Sequence, residues 1–144
     1  MVYTFKVKGK IRGKARPRFC VRNNRAIAYT TKEDKIYEDL IKECYLSQDL
    51  KYLGDNTYIK VDVKMFFAIP KSYTKKRKEL CLKNIERPAK KPDVDNILKS
   101  ILDSLQGGTA FKDDTQVISV NCEKFYTDEQ EDFLIISLEE IQKY

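Results

Sequence analysis

Tyr3, Phe5 and Val7 alternate with Thr4, Lys6 and Lys8, the period-two pattern of a strand with one buried face. Gly9 to Pro17 (GKIRGKARP) breaks that pattern with glycines and cations and reads as a loop. From Phe19 to Ala28, short apolar runs flank Asn23-Asn24, which predicts a small hairpin. Thr31 is placed to cap a helix from Lys32 to about Ser47, with Ile36, Leu40, Ile41 and Cys44 as its apolar stripe.

The second half continues in the same way. Ile59, Val61, Val63 and Met65 mark a strand over Tyr58–Ile69, closed by Pro70. Ser72 would cap a short basic helix from Tyr73 to about Leu82, and Asn84–Pro92 is a loop. An amphipathic helix follows, with Ile97, Leu98, Ile101, Leu102 and Leu105 on one face and Asn96, Lys99 and Asp103 on the other. Strands over Gln116–Tyr126 and Asp132–Glu139, joined by a polar turn at Asp128-Glu129-Gln130, complete the pattern. These elements predict a single small α+β domain over residues 1–144. Its expected architecture is a mixed sheet of about four strands packed with about two or three helices.

Composition adds exclusions. At 144 residues, 42% hydrophobic and 35% charged, the chain can bury a core and is neither disordered nor fibrous. It has no histidine, which removes His-ligated metals and every nucleophile or nuclease that depends on an imidazole base. Cys20, Cys44, Cys81 and Cys122 form no CxxC pair, so they read as reduced thiols in the core or at the surface. No apolar run suits a signal peptide or a membrane span, and the expected location is cytoplasmic, with no membrane partner.

Charge is segmented. Ten cations precede the first acid, Glu33, and nine more lie between Lys71 and Lys91 against only Glu79 and Glu86; beyond Lys91, four cations face twelve acids. A charge run is commonly just a solvated face. Two such runs converging on an acidic motif point instead to a polyanionic partner, bound with strong salt dependence because each neutralised phosphate releases a counterion. Phe19, Tyr29 and Tyr73 lie within or beside the basic stretches and could stack on unpaired bases. Core packing is the expectation for most of them.

The densest chemistry is Lys91-Pro-Asp-Val-Asp-Asn-Ile-Leu-Lys99, followed by Phe111-Lys-Asp-Asp-Thr-Gln116. Pro92 is disfavoured inside a helix, so the helix is expected to begin near Asp95 or Asn96. Within an ideal helix Asp93 and Asp95 would diverge by about 160°. In an extended lead-in, side chains repeat every second residue and both carboxylates point the same way. Asp95 then sits at the positive end of the helix, and Lys99 rises one turn later from the same face. Gly107-Gly108 ends the helix and allows a reversal that could return Asp113 and Asp114 beside Asp93 and Asp95. Taken singly, each fragment is an ordinary cap or turn. Together the four carboxylates would repel one another unless a cation joined them. An oxygen-only donor set suits hard Mg²⁺, or Mn²⁺, which can support in-line phosphoryl displacement, with Lys99 neutralising developing charge.

At these residues the chain resembles the RusA family of Holliday junction resolvases. The resemblance rests on Pro92-Asp-Val-Asp-Asn-Ile-Leu-Lys99, Asp103 and Lys112-Asp-Asp-Thr-Gln-Val117, with weaker support from Lys14-Ala-Arg-Pro-Arg-Phe19 and the Tyr29-Thr segment. It covers roughly residues 3 to 138. It implies a RusA-like fold and a small homodimeric, Mg²⁺-dependent endonuclease, often encoded by phages and prophages, that places paired nicks in four-way DNA junctions. By position, Asp93, Asp95 and Asp114 match the family's essential metal-binding aspartates and Lys99 its catalytic lysine; Asp113 is an acidic neighbour that supports the metal ligands. A two-fold dimer suits a junction whose strands are related by two-fold symmetry. Arg12, Lys14, Arg16 and Arg18, with Lys75, Lys76, Arg77 and Lys78, are the candidate contacts with junction backbone. The competing readings are a non-catalytic DNA-binding module and a Mg²⁺-dependent flap or single-strand nuclease using the same carboxylates.

Overall fold

Four of the alternating segments pair into one mixed sheet. The computed structural model describes residues 1–14 and 18–143, with Arg18 described by its backbone only. The chain runs β1 (Val2–Lys8), β2 (Arg18–Arg22), β3 (Arg25–Tyr29), α1 (Lys32–Leu46), β4 (Tyr58–Ala68), α2 (Lys75–Leu82), α3 (Val94–Leu105), a 3-10 turn (Asp114–Gln116), β5 (Val117–Thr127) and β6 (Phe133–Ile141). The sheet order is β1-β6-β4-β5, with β6 antiparallel to β1 and β4, and β5 parallel to β4. A parallel pair cannot be joined by a tight turn, so the intervening chain crosses over and carries α2 and α3 with it. The architecture is the predicted α+β domain, with three helices on a four-stranded mixed sheet.

Ile59, Val61, Val63, Met65 and Phe67 turn one face of β4 inward, beside Phe5 and Val7 of β1 and Leu134, Ile136 and Leu138 of β6. On α3, Ile97, Ile101 and Leu105 are fully buried, and Leu98 and Leu102 pack at the margin of the same core. Each fully buried aliphatic side chain contributes roughly 1.5–3 kcal/mol, so this stripe fixes α3 more firmly than any surface ion pair does. The opposite face of the sheet carries a phenylalanine ladder. Phe66 stacks on Phe133 at 4.7 Å and on Phe125 at 5.4 Å. Lys6 covers the Phe133 ring at 4.1 Å and Arg87 covers Phe125 at 4.3 Å.

Thr31 caps α1 as predicted, its Oγ1 accepting from the Asp34 N–H at 3.3 Å. The buried stripe of that helix is Asp34, Tyr37, Ile41 and Tyr45, however, and Ile36 is 59% exposed with Leu40 also exposed. The tyrosines fall at i, i+4 and i+8 around Ile41 and offer more apolar area than Ile36 and Leu40; Tyr45 meets Phe5 edge-on at 5.3 Å. α2 is capped by Thr74 instead of Ser72, its Oγ1 accepting from the Arg77 N–H at 3.2 Å.

The predicted hairpin forms, with Arg22 opposite Arg25 and Asn23 and Asn24 both left-handed (φ 51° and 60°). That is the backbone a two-residue hairpin turn requires and asparagine tolerates. Its aromatics do not reach the core: Phe19 is 68% and Tyr29 45% exposed. Tyr73 does pack against the core, edge-on to Tyr126. All four cysteines are free thiols, Cys81 buried and the others partly so. Among the described residues, no helix is long and apolar enough to cross a membrane.

Candidate functional site

α3 begins one or two residues earlier than the proline suggested. Asp93 is the N-cap, in extended conformation (φ −71°, ψ 151°), and Val94 is the first helical residue after the cis Lys91–Pro92 bond. Asp95 therefore lies in the first helical turn, and the extended lead-in expected to align it with Asp93 is replaced by a cap and a turn of helix. The Asp93 carboxylate makes no capping hydrogen bond, although Asp is among the strongest N-cap residues. Both Asp93 and Asp95 are exposed, at the positive end of a helix dipole that favours negative charge. Lys99 follows one turn later, also exposed, with Nζ 3.5 Å from Asp103 Oδ2.

Gly107 (φ 77°) and Gly108 (φ 106°) end the helix in left-handed conformations, where a side chain would be strained. The reversal is pinned by Gly107 N–H to Lys112 O at 2.9 Å and Gly108 N–H to Phe111 O at 3.0 Å. Asp113 then caps the 3-10 turn, its carboxylate accepting from the Thr115 N–H at 3.0 Å. Gln116 closes the box from below. Its Oε1 accepts from the backbone N–H of Lys112 and Asp113, and its buried Nε2 donates to Gly54 O and Thr57 O at 3.0 Å each. Gln106 links this turn back to the helix, accepting from the Asp114 N–H at 3.3 Å and donating to Asp103 Oδ1 at 3.4 Å.

The aspartates are unequal in their electrostatics. Asp114 shares a hydrogen bond with Asp113, and that bond, a little burial and the charges of Asp113 and Asp103 raise its pKa against the pull of Lys99. The Thr115 N–H, together with the bond from Asp114, holds Asp113 below the usual carboxylate range. Asp93 lies instead in the field of Lys124, whose pKa is lowered by burial despite that neighbour. Lys124 projects from β5 in register with Met65 of β4, on the helix-covered side of the sheet, and donates to Lys90 O at 2.6 Å.

Among the described residues, no three acidic or thiol side chains converge closely enough to enclose an ion. The expected meeting of all four carboxylates at one point is therefore not the geometry seen among the described residues: Asp113 and Asp114 pair with each other, in the field of Lys99 and Asp103, while Asp93 lies in the field of Lys124. The donor chemistry still fits a hard divalent cation. Among the described residues the Asp95 carboxylate has no hydrogen bond, Asp93 makes no side-chain cap bond, and Mg²⁺ typically needs only one or two carboxylates, filling its remaining positions with water and substrate phosphate.

The basic candidates separate. Lys14 is 13% exposed and donates to Glu38 Oε1 and Asp103 Oδ2, both at 2.7 Å. Burial pulls its pKa down, but these two bonds outweigh that and hold it above the ordinary lysine value. Its backbone N–H donates to Asn96 O at 3.0 Å, and a Cβ on the preceding Gly13 would meet Pro92 Cβ and Asn96 Cβ at 2.9 Å. Arg12 pairs with the buried Asp34 at 2.9 Å. Arg77 pairs with Glu86 at 2.9 Å and covers the Tyr73 ring at 3.6 Å. Lys75 and Lys76 are exposed and Lys78 half-buried, none of them in an ion pair among the described residues. Arg16 and the Arg18 side chain lie outside the described residues.

Sequence reasoning missed Gln106, Gln116, Gly13 and Lys124 as residues that shape the site. Gln116 had a readable signal, since Asp113-x-x-Gln116 is the spacing of a capping box. Lys124 had none beyond its alternation in β5.

Comparison with known proteins agrees with this arrangement. The family described as "Endodeoxyribonuclease RusA" matches residues 8–137. The "Uncharacterized protein YqaN" of Bacillus subtilis (strain 168) is 33% identical over 127 residues, covering 87% of this chain and 88% of that protein. With a match that takes in the basic loop, the aspartate motif and the return turn together, the chain belongs to the RusA endodeoxyribonuclease family.

Proposed function

We propose that this protein is a divalent-metal-dependent endodeoxyribonuclease that resolves Holliday junctions by paired symmetric nicks, in DNA recombination and repair. Mg²⁺ is the proposed cofactor, with Mn²⁺ able to replace it. Asp93, Asp95 and Asp114 are the proposed ligands, supported by Asp113. When bound, the cation supplies Lewis-acid chemistry for phosphodiester hydrolysis. The chain's own contribution is placement. α3 carries Asp95 and Lys99 on one exposed face, and the Gln106 and Gln116 amides fix the Asp113-Asp114 turn against the far end of that helix. Lys99 can neutralise charge developing on the phosphate. A two-fold dimer would present two such sites to opposing strands of a junction.

The observation that carries this reading is the uncapped Asp93 carboxylate at the head of α3, a group held in place yet left without its ordinary local partner. Asp93→Asn and Asp95→Asn are expected to bind a synthetic four-way junction like wild type and to lose Mg²⁺-dependent cleavage. Cleavage by either variant at the wild-type rate would remove the site assignment. A panel of junction, flap, fork and linear duplex tests the substrate: equal cutting of linear duplex would overturn junction resolution while leaving the metal chemistry standing.

A further inference from the structure

The described side chains of the β2–β3 hairpin stand outside the core. Every residue from 21 to 30 is exposed, and none of the hairpin belongs to the core. Strand alternation and register sort its two faces. Phe19 and Val21 share one face with Ala28 and Ala26 opposite them, so two large apolar groups, 68% and 76% exposed, stand above small neighbours with no charge between them. The other face carries Arg22 and Arg25 as a cross-strand pair, followed by Cys20 opposite Ile27. Two like charges placed directly opposite are unfavourable on their own. Neither guanidinium has an ion-pair partner among the described residues, and residues 18–30 contain three arginines and no acid.

The hairpin is also tethered at the site. Lys14, hydrogen-bonded to Asn96 O in the first turn of α3, is four residues from Arg18, so β2 starts within about 14 Å of Lys14. β3 ends two residues before Thr31, the cap of α1, whose Asp34 holds Arg12. A two-stranded ribbon of this width fits a DNA groove, where unpaired cations release counterions from phosphates.

We infer that the β2–β3 hairpin is a DNA-engaging ribbon, with Arg22 and Arg25 on backbone phosphates and the Phe19–Val21 ledge against base faces uncovered at a branch point. This rests on the nuclease reading only for the choice of branched DNA. The charge pattern favours DNA over a second copy of the chain, because three of the five acids of α1, Asp34, Glu38 and Asp39, are already paired internally.

The test uses the full chain in EDTA, so that no strand is cut, with a four-way junction and a linear duplex of matched sequence titrated over a range of salt. Arg22→Ala/Arg25→Ala should weaken both complexes and reduce the slope of log K against log salt by about 2. Phe19→Ser/Val21→Ser should weaken the junction complex about tenfold, a loss of one or two stacked bases, while leaving duplex affinity and salt slope unchanged. Phe19→Trp, which keeps a large aromatic on the ledge, should hold junction affinity at the wild-type level. All these positions are exposed, so thermal unfolding should match wild type. If both double variants bind the junction like wild type while wild type cleaves it in Mg²⁺, the ribbon is wrong and the nuclease reading survives. If wild type cuts no DNA yet the variants still lose binding as described, the nuclease reading fails and the ribbon stands. If Phe19→Ser/Val21→Ser instead converts a dimer to monomers by sedimentation, the ledge is an interface between copies and the inference is overturned.

Discussion

The two basic stretches look alike in sequence and are used in opposite ways. In the N-terminal loop, the half-exposed Arg12 and the largely buried Lys14 are each tied to a carboxylate, and Lys14 joins α1 to α3 through Glu38 and Asp103. In α2, Lys75 and Lys76 are exposed with no ion pair among the described residues, whereas Arg77 is paired with Glu86. Burial and geometry, not charge density, divide structural cations from those free to meet a polyanion. Arg12 and Lys14 tie the loop to α1 and to the helix that carries the aspartates; Lys75 and Lys76 leave exposed charge open to phosphate.

The sharpest way to break that contrast is Lys14→Met. It leaves Glu38 and Asp103 facing each other, both under 16% exposed, and should cost roughly 3 kcal/mol in a denaturant titration. If the variant unfolds like wild type but binds DNA weakly, Lys14 belongs with the exposed cations after all. Gly13→Ala is next. Its Cβ would come within 2.9 Å of Pro92 and Asn96, so the loop must lift from α3, with an expected loss of about 2 kcal/mol and a lower rate of junction cleavage. Unchanged stability and rate would show that the contact yields freely. The smallest effect on folding belongs to Lys75→Ala/Lys76→Ala, within about 0.5 kcal/mol of wild type. Its signature should be a salt slope for DNA binding reduced by about 2 with cleavage chemistry intact; an unchanged slope would remove α2 from the DNA contacts.

Much of the fold was legible because strand alternation and helix capping are local. Ile59 to Met65 announced β4, Thr31 announced α1, and Asn23-Asn24 announced the hairpin turn. The rotation of α1 is not legible in that way: Tyr37 and Tyr45 displace Ile36 and Leu40 from the core, and only the neighbouring sheet decides which stripe turns inward. The aspartate motif was legible as a motif but not as a shape. Where α3 starts decides how Asp93 and Asp95 are related, and the pairing of Asp114 with Asp113 depends on two glutamines from different turns. Long-range partners such as Glu38 for Lys14 and Lys90 for Lys124 leave no trace in spacing.

The missing bond at the head of α3 bears on any attempt to harden this protein. A serine or threonine in place of Asp93, seated as a conventional cap, would be expected to gain up to about 1 kcal/mol. A library screened for heat resistance alone would therefore be drawn to this position early, and each improved clone would have traded away the carboxylate at the centre of the proposed chemistry.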